Sequence, residues 1–261
     1  MSALTKLNVA LLQTELVWQD ATANRQQLAG QLQQIKADLI VLPEMFSSGF
    51  SMQSAVIAEP EGETLAWLKQ QAKQLNAALC GSVATRVTSG CVNRCYFVTP
   101  QGDVSFYDKK HLFRMAGEHQ AYQAGTERLV VQYRGWRILL QVCYDLRFPV
   151  FSRNRNDYDV ALYVANWPAA RSHAWRTLLQ ARAIENQAYV LGCNRVGTDG
   201  NGVAYRGDSL IVDYLGQPVA DLAPNAAGVL TGELDLALLR QYRQQFPAYL
   251  DADAFSLTSL L

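Results

Sequence analysis

The sequence predicts an α/β domain, and three observations carry that expectation. Short, nearly continuous apolar runs rich in β-branched residues recur along the chain; several are separated by segments of helical periodicity; and 49% of the 261 residues are hydrophobic while only 18% are charged. Runs this short and this uniformly apolar read as strands covered on both faces, with helices supplying the cover. At this length roughly 70–75% of the unfolded chain's surface can be buried, so folding needs neither a structural metal nor a disulfide framework. A single domain over residues 1–250 is expected, with 251–261 an appended tail.

The strand candidates are, in order, Leu7–Leu12, Leu39–Leu42, Ile138–Val142, Val160–Val164 and Tyr189–Leu191. A first helix is expected from Asp20 to Lys36, with Ala21, Leu28, Leu32 and Ile35 on one side, and a second from Glu63 to Asn76, with Leu65, Leu68, Ala72 and Leu75 in register. A third runs from Ser172, placed to cap it, to Asn186. Between Ala78 and Lys109 the pattern changes. GSVATRV, NRCYFVT and VSFYDK are separated only by turn material such as Thr-Ser-Gly and Pro-Gln-Gly-Asp, which predicts a meander of partly antiparallel strands. DSLIVDYLGQPVA at 208–220 repeats the hairpin signal, so mixed sheets are expected. Trp18, Trp67, Trp136 and Trp175 fall within apolar patterns and read as core or interface.

The 23 basic and 23 acidic residues cancel. Balanced charge argues against a surface that tracks nucleic-acid phosphates or an anionic membrane, and leaves a small molecule as the expected partner. No window approaches 18 uninterrupted apolar residues, and MSALTKLNVALLQTE has neither a long apolar core nor a small-residue cleavage site, so a cytoplasmic location is expected. Five cysteines cannot all pair with one another, which suits a reducing compartment. Cys91 and Cys95 lack a second pair of ligands at zinc spacing, and the run Gly197-Thr-Asp-Gly200-Asn-Gly202 is neither a dinucleotide fingerprint nor a P-loop. Neither metal nor cofactor is expected, and the glycine run reads as a loop.

Several apolar runs end abruptly in a polar or reactive residue: LIVLP in Glu44, ILLQV in Cys143, ALYVA in Asn166, and YVLGC in Asn194 and Arg195. Ligands of open α/β sheets bind beyond the carboxyl ends of strands, so these ends are expected to converge on one pocket. A thiol followed at once by Tyr144-Asp145-Leu146-Arg147-Phe148-Pro149 would sit on a tight elbow, with its sulfur exposed and backbone N–H groups aimed at whatever it attacks. Taken singly, Cys143 reads as a buried filler, as do Cys80, Cys91, Cys95 and Cys193.

A cysteine nucleophile needs a proton acceptor and a group to hold the oxyanion it generates. His111, His119 and His173 keep a Cys–His hydrolase open. Glu44, partly desolvated by Met45, Phe46 and Phe50, offers another base, and Lys109 a fixed positive charge on the same rim. Singly again, Glu44 reads as a capping or ion-paired carboxylate and the Lys109-Lys110 pair as solvated surface.

Together the segments say more. LPEMFSSGF, YDKKHLF and QVCYDLRFP, in that order, resemble the nitrilase (carbon–nitrogen hydrolase) superfamily. The resemblance covers residues from about 5 to about 245. It implies a Glu-Lys-Cys triad at Glu44, Lys109 and Cys143, and the Tyr-x-Lys-x-His-Leu pattern selects Lys109 over Lys110. GEHQAYQAG places Glu118 where the family has a second glutamate that supports the lysine. In the chemistry so implied, Glu44 accepts the thiol proton as Cys143 attacks an amide carbon, and Lys109 with the Tyr144 backbone N–H stabilises the oxyanion. The resemblance further implies a four-layer α-β-β-α sandwich of two mixed sheets, usually paired as a homodimer.

The flanks EMFSSGF, CYDLRFP and NWPAARSHAW look most like the ω-amidase branch, whose members hydrolyse 2-oxoglutaramate. That substrate carries a carboxylate at the end opposite its amide, so the pocket needs a cation there. Arg147, Arg171 and Arg195 are the candidates, with Asn166 and Trp167 shaping the wall; each arginine has an inter-segment ion pair as its alternative use. An N-carbamoyl amino acid hydrolase with the same triad is the rival enzyme, and an idle scaffold of the same fold the rival from another class. The lysine segment departs from the family at Asp108 and Lys110, where relatives often have Arg and an apolar residue.

Overall fold

The computed structural model describes residues 5–60 and 62–257. The first 108 residues form strands β1 (Lys6–Gln13), β2 (Leu39–Val41), β3 (Glu59–Pro60), β4 (Ala78–Val87), β5 (Gly90–Val98) and β6 (Val104–Asp108), with helices α1 (Ala21–Leu32), α2 (Ser54–Ile57) and α3 (Glu63–Leu75) between them. Next come α4 (Glu118–Ala121), β7 (Val130–Tyr133), β8 (Trp136–Val142), α5 (Pro149–Ser152), β9 (Val160–Ala165), α6 (Ser172–Asn186) and β10 (Tyr189–Asn194). The chain closes with β11 (Val196–Thr198), β12 (Ala204–Arg206), β13 (Leu210–Val212), β14 (Pro218–Asp221), β15 (Gly228–Asp235) and α7 (Leu236–Gln245).

The strands build two large mixed sheets. One runs β15-β1-β2-β4-β5-β6, with β3 beside β4; the other runs β14-β13-β10-β9-β8-β7; β11 and β12 form a separate hairpin. In the first sheet β1, β2 and β4 are parallel and β4, β5 and β6 antiparallel. In the second, β8, β9 and β10 are parallel. The two-residue period of β1 shows how the layers stack. Leu7, Val9 and Leu11 enter a core shared with Ile138, Leu140, Leu162 and Val164 of the other sheet, whereas Ala10 and Leu12 pack with Leu28 and Leu32 of α1 and Leu68 and Ala72 of α3. On the far side Trp175, Leu179 and Ala183 of α6 cover the second sheet. The result is the four-layer α-β-β-α sandwich. Gly192 of β10 lets α6 approach, since a Cβ there would lie 2.4 Å from Leu179 Cδ1.

Three local expectations need correction. α1 stops at Leu32, and Ile35 is buried from the following turn. Ser172 is the first residue of α6 and not its cap; Arg171 holds the cap position without a side-chain bond, because a 3-10 turn over Ala169–Arg171 leads directly into the helix. The tail is partly anchored: Arg155 lies 4.4 Å over the Phe255 ring and donates to the Phe255 carbonyl at 3.0 Å. Residues 258–261 of that tail lie outside the described residues.

Candidate active site

Glu44 follows β2 by three residues, while Lys109 follows β6 and Cys143 follows β8 directly. Cys143 has φ 46° and opens a 3-10 turn over Cys143–Arg147. A non-glycine residue in this left-handed region is strained and must be held there by its surroundings. Fully buried Asp145 does so. It accepts from the Val142 N–H at 2.9 Å, the Tyr107 hydroxyl at 2.8 Å and the His111 N–H at 3.0 Å, and lies 2.7 Å from His111 Nδ1. Tyr144 is the second residue of the turn, where an N–H has no acceptor within its own helix. Met45, directly after Glu44, is also left-handed at φ 44°, with its N–H donated to Ser82 Oγ at 2.9 Å.

The three groups expected to act together do meet. Lys109 is fully buried and donates from Nζ to Glu44 Oε1 at 2.9 Å and to both Glu118 oxygens, at 3.0 and 2.9 Å. Burial opposes its charge, but Glu118 and then Glu44 outweigh that effect and hold the ammonium well above the ordinary lysine range. Burial also pushes the Glu118 carboxyl up, with Lys109 opposing. The Cys143 thiol, 8% exposed, is pushed well up by burial and then by Glu44, with Lys109 opposing. A thiol so placed would need a neighbouring base to take its proton before it could attack. Among the described residues none of the histidines lines the cavity at Cys143; His111 stacks on Phe148 at 3.9 Å and serves the elbow through Asp145. The Cys–His arrangement is not what the fold assembles.

A cavity of about 810 Å³ opens on Cys143, within the range of small-ligand sites. Asn166 and Trp167 form one wall as expected. Asn166 donates its backbone N–H to Glu44 Oε2 at 2.8 Å and its side-chain amide to the Glu44 carbonyl at 2.5 Å. Trp167 donates its backbone N–H to Asn194 Oδ1 at 2.8 Å and its indole N–H to the Arg171 carbonyl at 2.8 Å. Arg147 lies 5.2 Å from the Trp167 ring centre and Arg171 5.2 Å from that of Phe113; both line the cavity, and neither forms an ion pair with a described residue.

Arg195 is different. Fully buried and outside the cavity lining, it donates to the Leu16 and Val196 carbonyls and lies 4.8 Å over the Tyr205 ring. Its end-of-strand position in β10 brings it to the right edge, but Tyr205 lines the cavity in its place.

The carbon–nitrogen hydrolase family model matches residues 8–244. The chain belongs to that family. The hydrolase is 56% identical to omega-amidase YafV of Escherichia coli (strain K12) over 96% of this chain and 98% of that one. It is 34% identical to the 2-oxoglutaramate amidase of Bacillus subtilis (strain 168), over 82% of this chain and 85% of that one. Among solved structures it is similar to XC1258 from Xanthomonas campestris, a CN-hydrolase superfamily protein with an arsenic adduct in the active site, at TM-score 0.95 and 47% identity, covering 97% and 99% of the two chains.

Sequence reasoning missed several contributors to the hydrolase's site. Asp145 stands in a motif that gives it no role, and His111 is read from sequence only as a candidate base, whereas the two together brace the elbow. Trp18, read as core or interface, lines the cavity, because the Gly197–Gly202 segment turns between β11 and β12 and crosses it; a Cβ at Gly200 would lie 2.3 Å from the indole. Asp108 has its own explanation, a two-bond pair with Arg94 at 2.7 and 2.9 Å.

Proposed function

We propose that this hydrolase is an ω-amidase that converts 2-oxoglutaramate to 2-oxoglutarate and ammonia through a thioester on Cys143. The observation that carries this reading is the pair of arginines without ion-pair partners among the described residues, Arg147 and Arg171, which line the same cavity as Cys143. The names of the E. coli and B. subtilis relatives support the same substrate class.

In the reaction so read, Glu44 takes the thiol proton while Sγ bonds to the amide carbon. The carbonyl oxygen becomes an anion held by the Lys109 ammonium and the Tyr144 N–H. As the anion collapses, the carbon–nitrogen bond breaks and Glu44 passes its proton to the leaving nitrogen, so ammonia departs and the acyl group stays on sulfur. Water then loses a proton to Glu44 as it attacks the thioester; the carbon–sulfur bond breaks and the proton returns to Cys143. One carboxyl group thus acts as base and acid in turn. Glu118 keeps Lys109 charged and aimed. Arg147 and Arg171 hold the substrate's carboxylate, with Asn166 and Trp167 as the wall. Loss of the catalysed hydrolysis in Cys143→Ala is expected in any such scheme.

The assignment is tested by comparing ammonia release from 2-oxoglutaramate, 2-oxosuccinamate and N-carbamoyl-β-alanine. The first should be turned over with the largest kcat/KM; equal or faster turnover of the carbamoyl compound would replace this reading with the N-carbamoyl hydrolase. The five free thiols support a cytoplasmic setting. Exposed Ile184 on α6 and Leu215 in the adjacent hairpin turn support pairing of two copies through a helical layer.

A further inference from the structure

Glu44 and Glu118 flank the same ammonium, yet their oxygens are used differently. A carboxylate offers about four lone-pair sites. At Glu118 all are taken: Oε1 accepts from Lys109 at 3.0 Å and Asn93 Nδ2 at 3.3 Å, and Oε2 from Lys109 at 2.9 Å and the Phe113 N–H at 2.6 Å. At Glu44, Oε1 accepts from Lys109 at 2.9 Å and Asn93 Nδ2 at 2.8 Å, whereas Oε2 accepts one backbone donor among the described residues, the Asn166 N–H at 2.8 Å. One site is left over, on the oxygen that Lys109 and Asn93 do not touch.

The amide that closes the other sites belongs to Asn93, in the middle of β5. It is fully buried, bridges both glutamates, and its own Oδ1 has no partner among the described residues. A buried amide oxygen without a donor lowers stability, which a purely structural side chain at this position would avoid. Its backbone carbonyl also accepts the Lys109 N–H at 2.9 Å, so the residue aligns the lysine and both carboxylates at once.

We infer that Asn93 is a positioning residue for proton transfer: with Lys109 it occupies Oε1 of Glu44, so that Oε2 is the oxygen that exchanges the proton with Cys143. The inference rests on the triad reading above and not on the substrate. Lys109 from the end of β6, Glu118 from α4 and Cys143 from the elbow are the charged and titratable groups facing Glu44, with Cys95, Tyr122 and Tyr205 at longer range. Without the Asn93 donor, Glu44 loses a bond to its charged form and is free to turn, so it binds a proton more tightly and presents it less accurately.

The test uses the full-length enzyme with Asn93→Ala, Asn93→Ser and Asn93→Asp. Two readouts are followed against pH: kcat and KM for the amide, and the rate at which iodoacetamide alkylates Cys143, which needs no substrate and so remains informative if the substrate assignment fails. Asn93→Ala should lower kcat about 10–100-fold with KM within about threefold of wild type, as expected for loss of one hydrogen bond to a charged group. The acidic limb of the alkylation profile should move to higher pH. Asn93→Ser, with one donor on a shorter arm, should fall between, and Asn93→Asp, which replaces the donor by an acceptor in the same shape, should lose more than either. Variants with a lowered melting temperature but wild-type kcat and an unmoved acidic limb would overturn the inference. Should Asn93→Ala fail to fold, an Asn93→Ser enzyme indistinguishable from wild type in both profiles would overturn it equally.

Discussion

Lys109 gives each oxygen of Glu118 a hydrogen bond, at 3.0 and 2.9 Å, and gives Glu44 only one, at 2.9 Å. Glu118 is thus the principal counterion, and Glu44 is the carboxylate less fully occupied by donors among the described residues. Removing the lysine should therefore affect both rate and stability. Lys109→Met is expected to reduce kcat by at least about 100-fold, the effect of losing an oxyanion donor. It should also destabilise by about 3–5 kcal/mol, because two buried carboxylates lose the charge between them. Protonation relieves that repulsion, so the melting temperature of the variant should rise relative to wild type as pH falls from about 7 to 5. Calorimetry at several pH values checks this.

Arg147→Met and Arg171→Met should act on binding. Each is expected to raise KM for 2-oxoglutaramate about 10-fold or more, the scale of a charge-assisted contact, and to change KM for a neutral amide such as butyramide little. Equal losses on both substrates would mean that the arginines only support the wall.

Gly192→Ala tests the packing of α6 on β10. Its Cβ would meet Leu179 at 2.4 Å and Trp175 at 2.9 Å. Overpacking of this kind costs about 1–3 kcal/mol. A fall in melting temperature of about 2–4 °C per kcal/mol is expected, with KM unchanged.

Asp159 predicts an acid limit to stability. It is 2% exposed and accepts from Arg137 Nη2 at 2.7 Å and Arg243 Nη1 at 2.9 Å. Burial alone would raise its carboxyl, but Arg137 and then Arg243 outweigh burial and hold it below the usual aspartate range. A carboxyl depressed in the folded state contributes stability above its unfolded value, near pH 4, and loses that contribution as pH falls through the lower folded value. Asp159→Asn should therefore lower unfolding free energy at pH 7 and lie closer to wild type near pH 3. Urea titrations at the two pH values decide it.

Much of the site was legible because strands ending in reactive residues are a local signal: Glu44, Cys143 and Asn166 each stand just past an apolar run, and the spacing of Lys109 and Glu118 is carried by short motifs. Arg195 shows the limit of that signal. It satisfies the same end-of-strand rule, yet its guanidinium turns to backbone carbonyls behind Tyr205. Asn93 gives no local signal at all, since an asparagine within NRCYFVT alternates like any inward-facing strand residue and only the sheet order, with β5 next to β6 and one strand from β2 across β4, brings it to both glutamates.

By itself, then, the sequence determined the α/β layering and the candidates for nucleophile, base and lysine, because hydrophobic periodicity and short motifs are properties of neighbours along the chain. The tertiary structure alone decided which donors each oxygen of Glu44 meets, which arginines face the cavity and which glycine run shapes it. Those outcomes depend on contacts such as that between Glu44 and Asn166, 122 residues apart, which exist only once two sheets have packed face to face.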